Sequence, residues 1–322
     1  MSALKRPRPA VAQVVVTGAT GFIGQHLVTA LSTLGHRIRV LSRSGRLSVH
    51  APDIDCTRGC LEDRSSLEAL VEGADAIIHL AGATAAKTRA DYFKGNAAGT
   101  TQLIAATRAQ APKARVVHVS SLAARAPALS NYAASKWAGE AIVRGSRLDW
   151  TVVRPPAVYG ANDKAMRPLW QMLKRGWVPR LGAANARFSL LHVSDLSQAL
   201  ALLVEPDVFA AAAGHCIELD DGHQRGPDRG YGWQDLADVS QTLTHRPARM
   251  VRLPQTGLAV AAHLSALGGR VRGQTPVFNP DKLAELRHDD WVCRPHDAAW
   301  LPGWSPRRRL GDTLLDEIKG TR

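Results

Sequence analysis

The chain has 322 residues, 45% hydrophobic and 21% charged, and 41 lysines and arginines outnumber 28 acids for a formal net charge of +13. That length buries one large core or two modest ones, and no run of 18 or more apolar residues offers a membrane-spanning helix. Cys56, Cys60, Cys216 and Cys293 are too scattered for a disulfide framework and lack a second ligand pair, so they read as reduced structural thiols with no metal.

The basic excess is dispersed, gathering only at Lys5-Arg6-Pro7-Arg8 and Arg307-Arg308-Arg309, and neither run is interleaved with aromatic residues. That argues against specific nucleic-acid binding and for a solvated surface that attracts anionic substrates or anionic lipid. The basic N-terminus lacks the apolar core of a signal peptide, so residues 1–12 read as a disordered leader and the cytoplasm is the expected compartment.

The first predicted strand, Val14-Val15-Val16, runs into Thr17-Gly18-Ala19-Thr20-Gly21-Phe22-Ile23-Gly24, and Ile23, Leu27, Ala30, Leu31 and Leu34 then recur with helical spacing. Strand, glycine turn and helix is the context of a dinucleotide site. Gly18 turns the chain, Gly21 admits a pyrophosphate, Gly24 lets the helix pack closely, and the helix N-terminus faces the phosphates. Gly18, Thr20, Gly21, Phe22 and Ile23 are the expected cofactor contacts. The Gly-x-x-Gly-x-x-Gly spacing after a threonine resembles the extended branch of the short-chain dehydrogenase/reductase superfamily. That branch holds sugar-nucleotide epimerases and dehydratases, 3β-hydroxysteroid dehydrogenases and dihydroflavonol reductases.

Further strands are expected at 38–41, 76–80, 115–119 and 150–153, alternating with helices near 22–34, 65–72, 96–110, 132–147 and 165–175. This βα alternation predicts an α/β fold, a Rossmann-type doubly wound parallel sheet with the ligand along its carboxyl edge. With the resemblance, it divides the chain into a dinucleotide-binding domain over 13–160 and a smaller C-terminal substrate-binding domain over 161–322, some of whose elements return to the core.

After the second strand stands Leu41-Ser42-Arg43-Ser44-Gly45-Arg46, with Ser42 where NAD-specific enzymes place an acid. A guanidinium grips a 2′-phosphate that a carboxylate would repel, so NADP(H) is expected over NAD(H), with Arg43 the main discriminator and Arg46 a second. Gly59-Cys60-Leu61 departs from the superfamily's Gly-Asp-Leu. Leu61 is still expected on the adenine, while base recognition is weaker or falls to Glu62 or Asp63. His79-Leu80-Ala81-Gly82-Ala83 resembles the family turn whose backbone lies along the cofactor, placing Ala81 and Gly82 there; His79 reads as a satisfied core histidine. Asn96-Ala97-Ala98-Gly99-Thr100 resembles the family's N-x-x-G-T, where the asparagine either serves the nicotinamide side or orders its helix.

The strand 115–119 ends in Ser120-Ser121, followed by Tyr132-Ala133-Ala134-Ser135-Lys136. Tyr and Lys four apart share a helix face, and an ammonium close by favours the phenolate of a tyrosine whose ordinary pKa is about 10. Either serine suits the polarising role; the family pattern favours Ser121. The resemblance thus implies Ser121, Tyr132 and Lys136 as the catalytic set. Arg154-Pro155-Pro156-Ala157-Val158-Tyr159-Gly160 resembles the branch's RP-x-x-VYG, which puts Pro155 and Val158 over the nicotinamide.

Past residue 160 the pattern loosens. Leu190-Leu191-His192-Val193-Ser194-Asp195-Leu196 resembles a motif whose histidine and aspartate are structural. Arg187 lies one position too far from His192 for the arginine that grips a nucleotide sugar's diphosphate. Residues 222–232 read as a mobile loop. The stretch between Arg252 and Gly273 is an apolar helix with basic borders, which lines a pocket, lies on a membrane surface or packs as a core helix. Ala299–Pro306 resembles the branch's LGW-x-P segment, with a last helix near 309–319.

The expected function is NADP(H)-dependent hydride transfer on a small-molecule carbonyl/alcohol pair. A sugar-nucleotide epimerase with tightly bound cofactor and a non-catalytic nucleotide-binding assembly or sensor protein remain as alternatives. Leu122-Ala123-Ala124 after Ser121 lacks the acids a dehydratase carries there. Homodimerisation is implied by the resemblance alone.

Overall fold

The computed structural model describes residues 11–47, 51–225, 228–271, 278–295 and 297–311. Most of the proposed leader and of the last helix lies outside them.

The apolar run QVVVT forms β1 (Gln13–Thr17), and the amphipathic segment after the glycine turn forms α1 (Phe22–Thr33). Then follow β2 (Arg37–Ser42), β3 (Ile54–Arg58), α2 (Arg64–Val71), β4 (Ala76–His79) and α3 (Arg89–Phe93). A π-helical turn at Lys94–Ala98 leads into α4 (Gly99–Gln110), β5 (Arg115–Val119), a 3₁₀ turn at Leu122–Arg125, α5 (Asn131–Arg144) and β6 (Trp150–Arg154). The expected strands and helices of this half are present within a few residues. Short α3 was not expected, nor was β3, which no apolar run announced because it is an edge strand with Asp55, Cys56 and Arg58 exposed.

The second half supplies β7 (Ala157–Tyr159), α6 (Arg167–Lys174), β8 (Trp177–Arg180), β9 (Arg187–Phe188), β10 (Leu190–His192), α7 (Val193–Leu202), α8 (Pro206–Ala212) and β11 (Cys216–Glu218). A short hairpin of β12 (Gln224–Arg225) and β13 (Asp228–Arg229) occupies the stretch read as a loop. After it come α9 (Trp233–Thr244), β14 (Arg249–Arg252), α10 (Gln255–Val271), α11 (Pro280–Arg287) and β15 (Asp290–Trp291).

Seven parallel strands form the main sheet in the order β11-β6-β5-β4-β1-β2-β3. The order reverses direction between β1 and β4, the switch point where an open α/β sheet leaves a crevice beyond its strand ends. Helices cover both faces: α1 packs on α7, and α2 packs on α4. The larger core joins Val14, Val16, Leu27, Leu31 and Ile78 to Leu196, Leu200, Ile217 and Trp304 of the second half. A separate apolar cluster, with Tyr159, Leu173, Leu190, Tyr231 and Leu236, lies within the second half.

Candidate active site

The crevice is built from the ends of β1, β4, β5 and β6. Gly18 has a φ of +77°, and a Cβ built on it would stand 2.6 Å from the backbone nitrogen of Ala81. The residue must therefore be glycine for the turns after β1 and β4 to meet. Gly24 is as confined, since a Cβ there would run into Gly18 and Ala19 of the same turn. No side chain caps α1 at Gly21, while Thr20 and Gly21 are exposed and Phe22 and Ile23 half-buried. A cradle that a Cβ would fill, opening on an uncapped helix N-terminus, fits the pyrophosphate of a dinucleotide.

The two turns are held by buried hydroxyls. Thr17 Oγ1 accepts from the Ala81 backbone N–H at 3.3 Å and lies 2.6 Å from His79 Nδ1, and His79 Nε2 lies 3.0 Å from Thr100 Oγ1. His79 is thus a bonded core histidine, and burial lowers its pKa to about 3. Beside it His118 is equally buried, its ring centroid 5.2 Å away, with no hydrogen-bond partner for either ring nitrogen among the described residues. Burial pushes its pKa well below the usual imidazole range, so it too is neutral.

Asn96 staples the crevice wall. Its Oδ1 accepts from Ala83 N–H at 2.7 Å, and its Nδ2 donates to the Ala83 carbonyl at 3.0 Å and to Ser135 Oγ at 2.8 Å. The side chain comes from the π turn, a distortion often found at functional sites, and ties the turn after β4 to α5. Ordering, one of the two roles open from sequence, is what these bonds do.

On α5, Ser130 caps the helix by accepting from Ala133 N–H at 3.0 Å, and Tyr132 and Lys136 stand in its first two turns. Lys136 is buried, and its Nζ donates to the Val119 carbonyl at 2.8 Å. A Cβ on Gly82 would lie 3.8 Å from that Nζ, so exposed Gly82, beside half-buried Ala81, and Lys136 share one spot. Burial lowers the Lys136 pKa to about 8, opposed by the carboxylate of Glu140. Half-buried Tyr132 is pushed up to about 12 by burial, with Glu285 and Tyr92 adding to the rise and a hydrogen bond with Ser121 pulling against it. Lys136 is not among the groups that move Tyr132, so the expected lowering is not seen in the protein alone, and this hydroxyl is protonated at neutral pH. The two serines differ: Ser121 faces Tyr132, whereas Ser120 is buried and donates to Glu140 Oε1 at 2.6 Å. Leu122 N–H donates to the Pro155 carbonyl at 2.9 Å, which brings the RP-x-x-VYG turn against the serine turn. Val158, one strand on, leans into the main core.

At the adenosine end, Arg43 and Arg46 are exposed after β2, and Ser42 is turned inward, its hydroxyl donating to the Arg46 carbonyl at 2.9 Å. Arg58 ends β3 directly beside Ser42 in register, and its aliphatic stem passes under Gly45. It is a third cation at this end, which no sequence pattern marks because β3 carries no apolar run. Leu61 is half-buried against Gly99 at the start of α4. Glu62 pairs with Lys94 at 3.1 Å, and Asp63 caps α2, so neither acid of that stretch is idle.

Two further arrangements escaped the sequence. Buried Glu140 takes a bidentate pair from Arg154 at 2.8 and 2.7 Å, and Arg154 reaches on toward Glu218 at 3.6 Å. Asp281 and Glu285 of α11 bind the first turn of α5: Asn131 Nδ2 donates to Asp281 at 2.7 Å and Ser130 Oγ to Glu285 at 2.6 Å. Asn279-Pro280-Asp281 is a helix-start signal that would have found α11 but not its target. Arg187 is committed inward, donating to the Arg229 carbonyl at 3.3 Å and lying 3.7 Å from Asp235 and 3.8 Å from Asp228. His192 caps α7, and Asp195 accepts from the backbone N–H groups of Arg307 and Arg308, the structural roles expected of that motif.

Known proteins bear on this geometry. The description "NAD dependent epimerase/dehydratase family" matches residues 14–212. A ceramide reductase of Caulobacter vibrioides is 36% identical over 283 residues, 87% of this chain and 85% of that protein. Subunit 9 of the mitochondrial NADH dehydrogenase 1 alpha subcomplex of Arabidopsis thaliana is 26% identical over 88% of this chain and 72% of that protein. Among solved structures, the UDP-glucose 4-epimerase of Thermotoga maritima with UDP-glucose superposes with a TM-score of 0.69 at 18% identity, covering 96% of this chain and 99% of that one. The chain belongs to the NAD dependent epimerase/dehydratase family and is an NAD(P)-dependent oxidoreductase or epimerase.

Proposed function

We propose that the protein is an NADPH-dependent reductase that converts a carbonyl of an apolar, ceramide-like lipid to the alcohol. The observation that carries the reading is the Ser121–Tyr132 pair over Lys136, with the tyrosine held protonated, in a chain 36% identical to a ceramide reductase. Reduction needs a proton donor, and a phenol whose pKa lies near 12 stands ready in the acid form. Arg187 argues in the same direction, because its ion pairs leave it turned away from the task of holding a nucleotide sugar's diphosphate. The intact catalytic set argues against a purely structural subunit.

The turn Gly18–Ile23, with Ala81 and Gly82 opposite, would hold the dinucleotide; Leu61 would pack on the adenine, and Pro155 and Val158 would lie toward the nicotinamide end. Arg43 and Arg46, joined by Arg58, would meet a 2′-phosphate, since no carboxylate occupies the end of β2. The reduced nicotinamide supplies a hydride when bound. Ser121 hydrogen-bonds the carbonyl oxygen and polarises it. Tyr132 transfers its proton to that oxygen as negative charge develops there. The Lys136 ammonium steadies the resulting phenolate and the ribose hydroxyls beside Gly82.

The test is NADPH consumption at 340 nm with a keto-ceramide in detergent, run beside NADH and beside UDP-glucose. Turnover of the lipid ketone with a preference for NADPH is expected. Interconversion of UDP-sugars by protein carrying tightly held cofactor, without ketone turnover, would replace the reading with an epimerase.

A further inference from the structure

The helix α10 has a solvent face that water does not account for. No Asp, Glu, Lys or Arg occurs between Arg252 and Arg270. Val260 is 59% exposed and Leu264 63% exposed, one turn apart, with Gly257 and Ala261 exposed on the same side. Ala262, on the opposite side, is buried, and the helix packs on α11. A helix at a protein surface normally turns charged residues outward; here the exposed residues among those described are uncharged, with Val260 and Leu264 the largest of them.

The strand that leads into this helix is different in character. β14 pairs with β8, and this ribbon exposes Arg249 and Arg252 together with Met250 and Trp177. An exposed aliphatic helix face bordered by arginines and a tryptophan has the composition of an interfacial helix, which lowers its apolar side among lipid tails and keeps cations at the headgroups. We propose that this face of α10 docks the protein on an anionic lipid surface. A second copy of the chain fits less well, because each copy carries a net charge of +13 and brings the same arginines to the contact. Anionic lipid neutralises that charge, and each basic residue near such a surface strengthens binding about fivefold. The docking is read from this surface alone and stands apart from the reductase reading, although a lipid substrate would be met in the same place.

The full chain mixed with vesicles, followed by flotation, tests the proposal. With phosphatidylcholine containing a third phosphatidylglycerol, the protein should float with the vesicles, and should leave them as salt is raised. With phosphatidylcholine alone it should stay behind. Val260→Glu with Leu264→Glu should weaken binding at least tenfold, and the milder Val260→Ser with Leu264→Ser should weaken it less. Arg249→Glu with Arg252→Glu should abolish the preference for anionic vesicles. All three should leave the thermal midpoint and the reduction of a short, water-soluble ketone as in the parent. Failure of the parent to float with anionic vesicles would overturn the proposal, as would unchanged binding by the glutamate variant. A parent that sediments as a dimer, ignores vesicles and becomes monomeric in the glutamate variant would assign the face to a second copy instead.

Discussion

The two halves of the molecule meet at the same crevice but are specified in different ways. In the first half, strand follows helix at short range, and the groups that line the crevice lie next to the elements that place them: Gly18 after β1, Ala81 and Gly82 after β4, Ser121 after β5. In the second half the elements are short, and their ties to the crevice are charged side chains reaching across the chain. Asp281 and Glu285 hold the start of α5, Arg125 donates to the carbonyls of Val292 at 2.8 Å and Asp290 at 2.7 Å, and Asp195 fastens residues 307 and 308. The crevice is therefore shaped by local chain turns in the first half, whereas the second half's hold on the molecule depends on a few long-range polar bonds.

The largest effect should come from breaking the chemistry of the first half. Tyr132→Phe removes the proton donor and keeps the ring that sits 6.1 Å from Tyr92. Positioned proton transfer is worth about 10²–10⁴ in rate, so turnover should fall at least about a hundredfold while titration of cofactor fluorescence shows unchanged binding. Full activity in this variant on a verified ketone would remove Tyr132 from the mechanism.

The pH dependence of the same site comes next. Lys136 carries its charge below a pKa of about 8 and loses it above. Reduction should therefore decline as pH rises through about 8, reaching about a tenth of the plateau one unit higher. Lys136→Arg keeps a cation beyond that point, so its alkaline limb should move up even if its plateau is lower. An identical limb in the variant would assign the titration to another group.

A smaller, selective effect is expected at the far end of the crevice. Arg43→Ala should raise the KM for NADPH about tenfold, roughly the loss of one charge-assisted hydrogen bond, and leave that for NADH nearly unchanged. Arg58→Ala should act in the same direction, more weakly. Equal losses for both cofactors would take these arginines away from the 2′-phosphate.

The contrast between the halves also explains what the sequence made legible. The glycine turn, the serine turn and the Tyr–Lys spacing were readable because each is a local pattern on one element. β3 was hidden by its polar edge, and with it Arg58. The partners of Glu140, Glu285 and Arg187 could not be read, since side-chain hydrogen bonds and ion pairs have no period and can join distant residues: Glu285 accepts from Ser130 across 155 positions. Arg187 shows the cost of reading one member alone. Its sequence position, one place too far from His192, already argued against a diphosphate grip, and only the fold revealed the acids beside it.

The finest test joins the two halves at one charge. Glu285 of α11 accepts from Ser130 Oγ at 2.6 Å, pairs with Lys282 at 3.1 Å, and its negative charge helps keep the Tyr132 pKa high. In Glu285→Gln the side-chain oxygen still accepts from Ser130, so the capped start of α5 should hold. What changes is electrostatic: a charge that disfavoured the phenolate is gone, and the Lys282 ammonium left behind favours it. Tyr132 should therefore titrate below its parent value of about 12, which the phenolate absorbance of the variant, corrected with Tyr132→Phe, would report. The alcohol-oxidising direction, which needs Tyr132 to accept a proton, should reach its plateau at a lower pH than in the parent. An unmoved or raised titration would mean that α11 holds the helix in place without tuning the proton it carries.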